Sequence, residues 1–209
     1  MSLAAVSPEG ADARLEALRR VQADPRWSTP WAEKPLPTPE VLAEALPGGG
    51  LVPGSVYSLA SGGLLLLSLL AEPSRAGLWC GVVGMPELGA EAAAQAGVNL
   101  ERLALVPHPG ERWFSATAAL VDVMALVAVR PAGRVRDADA ARLAARLRDS
   151  KTVMLTVGAW PRAEATLRAT ESRWSGLGQG HGCLRTCEML VTVTSKRTPM
   201  PRRVRMEVS

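Results

Sequence analysis

The apolar positions of this chain are most concentrated between residues 51 and 70, where they predict a strand, a turn and a helix. The β-prone run Val56–Ala60 is followed by the glycine turn Ser61-Gly62-Gly63. Six of the seven residues from Leu64 to Leu70 are leucine. A helix that is apolar on every side is buried all round, so we expect this helix to lie inside the protein.

Further along the chain, short apolar runs alternate with helical patterns. The predicted strands are Leu78–Val83, Leu103–Val106, Leu126–Val129 and Thr152–Val157, and the predicted helices are Leu88–Ala96, Glu111–Met124, Asp137–Arg148 and Arg162–Glu171. Continuously apolar strands between helices predict an α/β fold with a mostly parallel sheet covered by helices on both faces. Near the C-terminus, Met189–Val193 and Val204–Val208 alternate apolar and polar residues, which predicts an antiparallel hairpin.

The N-terminal quarter has a different character. Ala11–Ala23 predicts a helix with Leu15, Leu18 and Val21 along one stripe. Asp24–Pro39 carries five prolines and two tryptophans and predicts an extended linker, after which a short helix follows over Pro39–Leu46. We therefore divide the chain into an N-terminal arm, residues 1–47, and a core domain, residues 48–209.

Composition indicates an ordinary soluble protein, with 47% hydrophobic and 21% charged residues among 209. No apolar run approaches the roughly 18–20 residues that span a bilayer, and the first residues lack the pattern of a signal peptide. Three cysteines suit a reducing compartment. We expect a cytoplasmic protein that makes no contact with a membrane.

The strand, glycine turn and helix have the layout of a phosphate-binding loop but lack its chemistry. Such a loop needs a lysine and a hydroxyl group after its last glycine, yet no lysine lies between Lys34 and Lys151, and leucines follow Gly63. The run Leu126–Val129 ends in Arg130 instead of an acidic Mg²⁺ ligand. We expect hydrocarbon in this degenerate site, no nucleotide or other cofactor, and no catalysis.

Other candidates for chemistry are weaker. Glu87 follows the second strand, and we interpret it as the start of the next helix, where a carboxylate favours the helix dipole. His181, Cys183 and Cys187 lie within seven residues, but a fourth ligand is not apparent, so we expect buried thiols and no metal. Cys80 lies within an apolar strand and is expected in the core.

Basic residues concentrate at the C-terminus. From Arg185 to Ser209 there are six basic residues against two acidic ones. A basic segment of this kind contacts nucleic-acid phosphates or an acidic protein, or only protects a strand edge from aggregation. A second cluster, Arg130, Arg134 and Arg136, follows the fourth predicted strand.

The order of elements resembles the core of the RecA recombinases over residues 46–208. The stretches that carry the resemblance are GGLVPGS at Gly49–Ser55, GVNLERLAL at Gly97–Leu105, and VTVTSKRTPMPRRVRMEV at Val191–Val208. Together with the short length, the absent phosphate-binding chemistry, the Pro/Trp linker and WSGLGQGHG at Trp174–Gly182, they are most similar to the actinobacterial ImuA′-type (ImuA/SulA-like) accessory proteins of SOS mutagenesis.

That resemblance implies a non-catalytic partner of ImuB, a Y-family polymerase homologue, and through it of an error-prone C-family polymerase and the sliding clamp. Arg130, Arg134 and Arg136 lie where recombinases place a loop that contacts DNA, so weak DNA binding is a further expectation. For partner binding we predict first the C-terminal hairpin, with Lys196, Arg197, Arg202, Arg203 and Arg205, and then the N-terminal stripe Leu15, Leu18 and Val21.

Two alternatives stay open. The first is a regulator that binds DNA or recombinase filaments, or that associates with itself. The second is a cell-division inhibitor with a RecA-like fold that blocks a cytoskeletal GTPase.

Overall fold

The computed structural model describes residues 33–177 and 182–208, and for residues 176, 177 and 182–185 it describes the backbone alone. The predicted helix Ala11–Ala23, with Leu15, Leu18 and Val21, and most of the proline-rich linker lie outside the described residues, as does His181.

Helices and strands alternate through most of the described chain. The α-helices are α1 Glu40–Ala45, α2 Leu64–Arg75, α3 Ala90–Gln95, α4 Trp113–Val121 and α5 Asp137–Ser150. The strands are β1 Val56–Leu59, β2 Cys80–Val83, β3 Leu103–Val106, β4 Leu126–Val129, β5 Val153–Val157, β6 Ala165–Leu177, β7 Gly182–Ser195 and β8 Arg202–Val208. The short apolar runs predicted as strands are therefore confirmed, β3 and β4 with the same boundaries.

All eight described strands form one sheet in the order β3-β2-β4-β5-β1-β6-β7-β8. The first six strands pair in parallel, whereas β6 with β7 and β7 with β8 pair antiparallel. The structure is thus an α/β fold with a mostly parallel sheet flanked by helices and a C-terminal antiparallel hairpin, as the sequence predicts.

Side chains alternate between the two faces of the sheet, and each face has its own helices. Tyr57 and Leu59 of β1 share a buried cluster with the leucines of α2. On the other face α4 packs on β2 and β4, and it approaches so closely that a methyl group at Gly81 would lie 2.9 Å from Cδ1 of Leu120. Leu65–Leu70 are all buried, which confirms the prediction that α2 is covered on every side.

The core begins earlier in the chain than the predicted boundary at residue 47. Leu36 pairs with Leu51 through an isolated antiparallel bridge, and the Leu36 N–H donates to the Leu51 carbonyl at 2.9 Å. Leu42 and Leu46 are buried in the same cluster as the sheet residues. Residues 36–46 therefore belong with the core, because their leucines complete its apolar packing, and the sequence-based boundary at 47 is wrong for this segment.

The predicted helix Arg162–Glu171 is wrong, since this segment forms the first part of β6. Its alanine, leucine and arginine residues favour a helix by propensity. However, Arg162 has a φ of +59°, which does not continue a helix, and residues 165–168 alternate between buried and exposed. Hydrogen bonding to β1 on one side and β7 on the other outweighs the local preference.

α2 ends at Arg75, with Pro73 in its last turn. Proline has no N–H to donate to the carbonyl four residues earlier, so Pro73 removes one hydrogen bond from this turn.

Candidate functional site

The carboxyl ends of the parallel strands meet at one edge of the sheet. From β1 the chain enters α2 on one face, and from β4 it enters α5 on the other. In open α/β sheets such a reversal leaves a crevice at the carboxyl ends of the strands, where ligands bind. In this chain the residues that follow the strands at this edge are the glycine turn after β1, Gly84 after β2 and Arg130 after β4.

The glycine turn Ser61-Gly62-Gly63 joins β1 to α2, as the sequence predicts. Gly63 precedes the helix with a φ of +76°, and no side chain caps the helix. A methyl group at Gly62 would lie 3.3 Å from Nη2 of Arg130 and 3.8 Å from Cγ2 of Val157. The expectation that hydrocarbon alone occupies this position is therefore wrong: a guanidinium group lies against the turn, and the leucines of α2 are buried behind it.

The Arg130 guanidinium also forms an ion pair with Glu87, through Nη1 and Oε1. The Glu87 backbone N–H, and then Arg130, lower the pKa of the Glu87 carboxyl. The Arg130 and Glu87 side chains are 37% and 57% exposed, so this pair contributes little to stability. The ion pair matters for the site because it places a cation and an anion side by side next to the glycine turn.

The interpretation of Glu87 as the start of a helix is wrong. Glu87 lies in a turn, and α3 begins at Ala90. No pattern in the sequence indicates the contact between Glu87 and Arg130, because the two residues are 43 positions apart.

The described residues do not supply the groups that bind a nucleotide with magnesium. Asp122 follows α4, at the amino end of β4, and pairs with Arg146 at 2.7 Å. Within the part of the chain that the structure describes, no three His, Cys, Asp or Glu residues are placed to hold a metal ion. Chemically, the carboxyl edge offers a neutralised ion pair and an exposed turn.

We expect the purified chain to show no saturable heat of ATP binding by calorimetry, with or without Mg²⁺. The reason is that the turn has no lysine to neutralise phosphates and that Arg130 is already paired with Glu87. Glu87→Ala, which releases Arg130, is the matched variant and is also expected not to bind ATP with Mg²⁺. Tight uptake that requires Mg²⁺ would contradict the degenerate site.

The other two arginines of the predicted DNA-contacting loop lie between β4 and α5. Arg136 pairs with Asp139 at 2.9 Å, and Arg134 is exposed. Two of the three arginines, Arg130 and Arg136, thus already face a carboxylate. Contact between this loop and DNA stays a prediction.

The basic residues predicted to bind a partner are divided by the register of the hairpin. Arg203 and Arg205 pair with Thr192 and Leu190 and are exposed on one face. Arg202 pairs with the buried Val193, so it lies on the opposite face, where Nη1 donates to the Glu44 carbonyl at 2.9 Å.

The turn between β7 and β8 holds the remaining two cations of that predicted set. Arg197 pairs with Glu164 at 2.7 Å, and Lys196 is exposed. The predicted set is therefore not one patch but two faces and a turn.

Sequence reasoning missed Arg168, because it lies in the segment predicted as a helix. In β6, Arg168 lies opposite Thr192 of β7, and on its other side Thr192 lies opposite Arg203 of β8. The available signal was the period-two alternation of Ala165, Thr166, Leu167 and Arg168, which is typical of a strand with one buried face.

The described cysteines are structural. Cys80 and Cys187 are both buried, and burial raises the pKa of the Cys80 thiol to about 12. The prediction that Cys80 belongs to the core is confirmed. Among the described residues, no helix has the length and apolar character that crossing a membrane requires.

Comparison with known proteins gives two results. The family model described as the MT3502 N-terminal domain matches residues 44–162, which run from the last two residues of α1 to a point shortly after β5 and include the carboxyl edge. An uncharacterized protein of Mycobacterium tuberculosis, Rv3395c, is 35% identical over 165 residues, with 77% of this chain and 78% of that protein covered. The match covers more than half of the chain, and we conclude that the protein belongs to the MT3502 N-terminal domain family.

Proposed function

We propose that the protein is a non-catalytic accessory factor of SOS-induced, error-prone translesion DNA synthesis, and that it binds an ImuB-type Y-family polymerase homologue. Through that homologue it joins an error-prone C-family polymerase and the sliding clamp. The proposal extends the resemblance of the sequence to the ImuA′-type proteins, and a mycobacterial relative is compatible with an actinobacterial family of this kind.

The observation that supports a non-catalytic role is the carboxyl edge of the sheet. At the place where an α/β protein of this topology binds its ligand, Arg130 lies against Gly62 and pairs with Glu87. Phosphoryl transfer depends on positioned cations and metal ions that stabilise charge in the transition state. A scaffold that acts by contacting other macromolecules has no need of them.

Strand β8 is the surface that best fits a protein partner. Within the described sheet β8 has one strand neighbour, β7, and α1 also packs against β8. We propose that the edge of β8 away from β7 pairs with another chain. An exposed edge binds an extended segment through main-chain hydrogen bonds, while the flanking charges select the partner. The cations at this edge are Arg202, Arg203 and Arg205.

The test is purification of the tagged protein from cells after DNA damage, with its partners identified by mass spectrometry. Recovery of the polymerase homologue supports the proposal. Recovery of a cell-division GTPase in its place would reject it in favour of an inhibitor of division.

Reversing Arg202 and Arg203 to glutamate is expected to reduce recovery of the polymerase homologue at least about tenfold, the change that about 1.4 kcal/mol of binding free energy produces. Arg112→Glu with Arg142→Glu reverses the same charge at two exposed positions far from β8 in sequence and is the matched control. Quantitative pull-down, with circular dichroism to verify folding, measures both. Equal recovery by the two double variants would exclude β8 as the surface.

A further inference from the structure

The antiparallel part of the sheet leaves one face open to solvent, and this face is rich in arginine and threonine. We call it the outer face and define it by Arg168, Thr170, Leu190, Thr192, Arg203 and Arg205, which the strand register places side by side. Leu190 and Thr192 are half-buried, and the other four are exposed. The opposite face carries the buried side chains of Met189, Val191 and Met206 and belongs to the core.

Arg168 and Arg203 are the centre of this face. Each pairs with Thr192, one from β6 and the other from β8, so their Cα atoms lie about two strand spacings, or about 10 Å, apart. Neither arginine has an ion-pair partner among the described residues, whereas Arg205 pairs with Glu188 at 3.1 Å. Glu188 of β7 and Glu207 of β8 lie opposite each other in the strand register, and they bound the outer face at one end.

Protection of a sheet edge does not explain this arrangement. Charged side chains commonly occupy edge strands, where they prevent pairing with another molecule. That reason accounts for Arg203, but Arg168 lies on β6, which has β1 on one side and β7 on the other. Two exposed arginines about 10 Å apart without carboxylate partners repel each other weakly in water, and a negative ligand that contacts both relieves this repulsion.

The composition of the outer face distinguishes between two classes of acidic ligand, an acidic protein and a nucleic acid. Protein interfaces obtain most of their binding energy from tryptophan, tyrosine and arginine side chains in well-packed pockets, with the aromatic residues as large anchors. The outer face carries no aromatic side chain among the described residues, and the nearby Trp174 pairs with buried Cys187 and so belongs to the other face. Arginine serves both kinds of interface, but arginine and threonine hydrogen-bond to phosphate oxygens without an aromatic anchor beside them, which favours a nucleic acid on this face.

We propose that the outer face binds the phosphate backbone of duplex DNA without sequence specificity, with Arg168 and Arg203 as its principal contacts. Because stacking platforms for unpaired bases are absent from the described face, duplex DNA is bound at least as well as single-stranded DNA. This places DNA on the sheet and not on the loop that holds Arg130, Arg134 and Arg136. The surface involves the protein alone and does not depend on a polymerase partner.

The test uses the purified chain and a fluorescently labelled duplex of arbitrary sequence, with anisotropy measured between about 50 and about 200 mM salt. We expect binding that weakens steeply with salt. Arg168→Glu with Arg203→Glu is expected to weaken binding at least about tenfold at the lower salt concentration and to reduce the slope of log K against log salt by about two.

Arg112→Glu with Arg142→Glu is the matched control and should lose clearly less affinity. Arg168→Gln with Arg203→Gln removes the charges without introducing new ones and replaces the glutamate variant if that one does not fold. The proposal is overturned if the wild-type chain does not bind the duplex, if the outer-face variants bind as tightly as the wild type, or if the control loses as much. Binding of polyglutamate but not of DNA would also overturn it and would assign the face to an acidic protein.

A single variant separates this proposal from the polymerase-binding one. Arg168→Glu changes the outer face away from the β8 edge, so it should weaken DNA binding about fivefold or more while the polymerase homologue still co-purifies. Loss of the homologue with full DNA binding would contradict the assignment of the two surfaces. Failure to recover the homologue with any variant would reject the proposed function and leave the DNA measurement intact.

Discussion

Replacing Leu69 by alanine is expected to lower the free energy of unfolding by about 2–5 kcal/mol, because it leaves a cavity in the most completely buried of the described helices. Leu69 has no exposed surface and belongs to the same buried cluster as residues of the sheet and the leucines of residues 36–51. The change removes apolar contact on all sides, and α2 cannot move toward solvent to close the gap. Urea denaturation followed by circular dichroism measures the loss.

Leu64→Ala is the control for this prediction. Leu64 is the first residue of the same helix but is only half-buried, so its truncation should cost clearly less than that of Leu69. If both variants lose the same free energy, or if Leu69→Ala loses less than about 1 kcal/mol, α2 is not the closely packed centre of the core.

Gly84→Ala is expected to lower the free energy of unfolding by about 2–5 kcal/mol, for two reasons that act together. Gly84 has a φ of +76°, a conformation that is unfavourable for residues with a Cβ atom. In addition, the new methyl group would lie 2.5 Å from the carbonyl oxygen of Arg130, and backbone atoms cannot turn away as a flexible side chain can. Thermal and urea unfolding both report the change.

Gly89→Ala provides the comparison, since Gly89 has a φ of −74° and the nearest atom to a new methyl group is 3.9 Å away. Its loss should stay below about 1 kcal/mol, the ordinary range for a change at a helix N-cap. Gly84→Ala with unchanged stability would mean that β2 and the end of β4 do not approach each other as the structure shows.

Much of the parallel sheet is predictable because its strands are short, mostly apolar and separated by recognisable turns. Leu103–Val106 and Leu126–Val129 are predicted with the boundaries that the structure has. Burial on both faces imposes the apolar pattern directly on β4, whereas β3, at the edge of the sheet, is apolar although only half-buried.

β6 was missed because local and tertiary preferences conflict there. Its alanine, arginine and glutamate residues have good helix propensity, and one of the two strands that hold them in the sheet is distant in sequence: β1 precedes β6 by more than 100 residues. Single-sequence reasoning weighs propensity over a window of neighbours and has no access to such partners.

The candidate sites show the same limit at the level of side chains. The sequence indicates a basic C-terminal segment, but it does not show that Arg202 and Arg203 point to opposite faces of β8, which depends on strand register. Nor does it indicate that Arg130 meets Glu87, because that contact joins the ends of two strands that neighbour each other only in the folded sheet.

The position of β6 has a consequence for how the protein opens. β6 is hydrogen-bonded in parallel to β1 and antiparallel to β7, and its buried residues Ala165 and Leu167 share a cluster with residues from both halves of the sheet. The antiparallel strands therefore cannot peel away as a separate unit without exposing apolar surface on β1. Local fluctuations that release the C-terminal strands are coupled to the loss of the parallel core, and the sheet behaves as one cooperative unit.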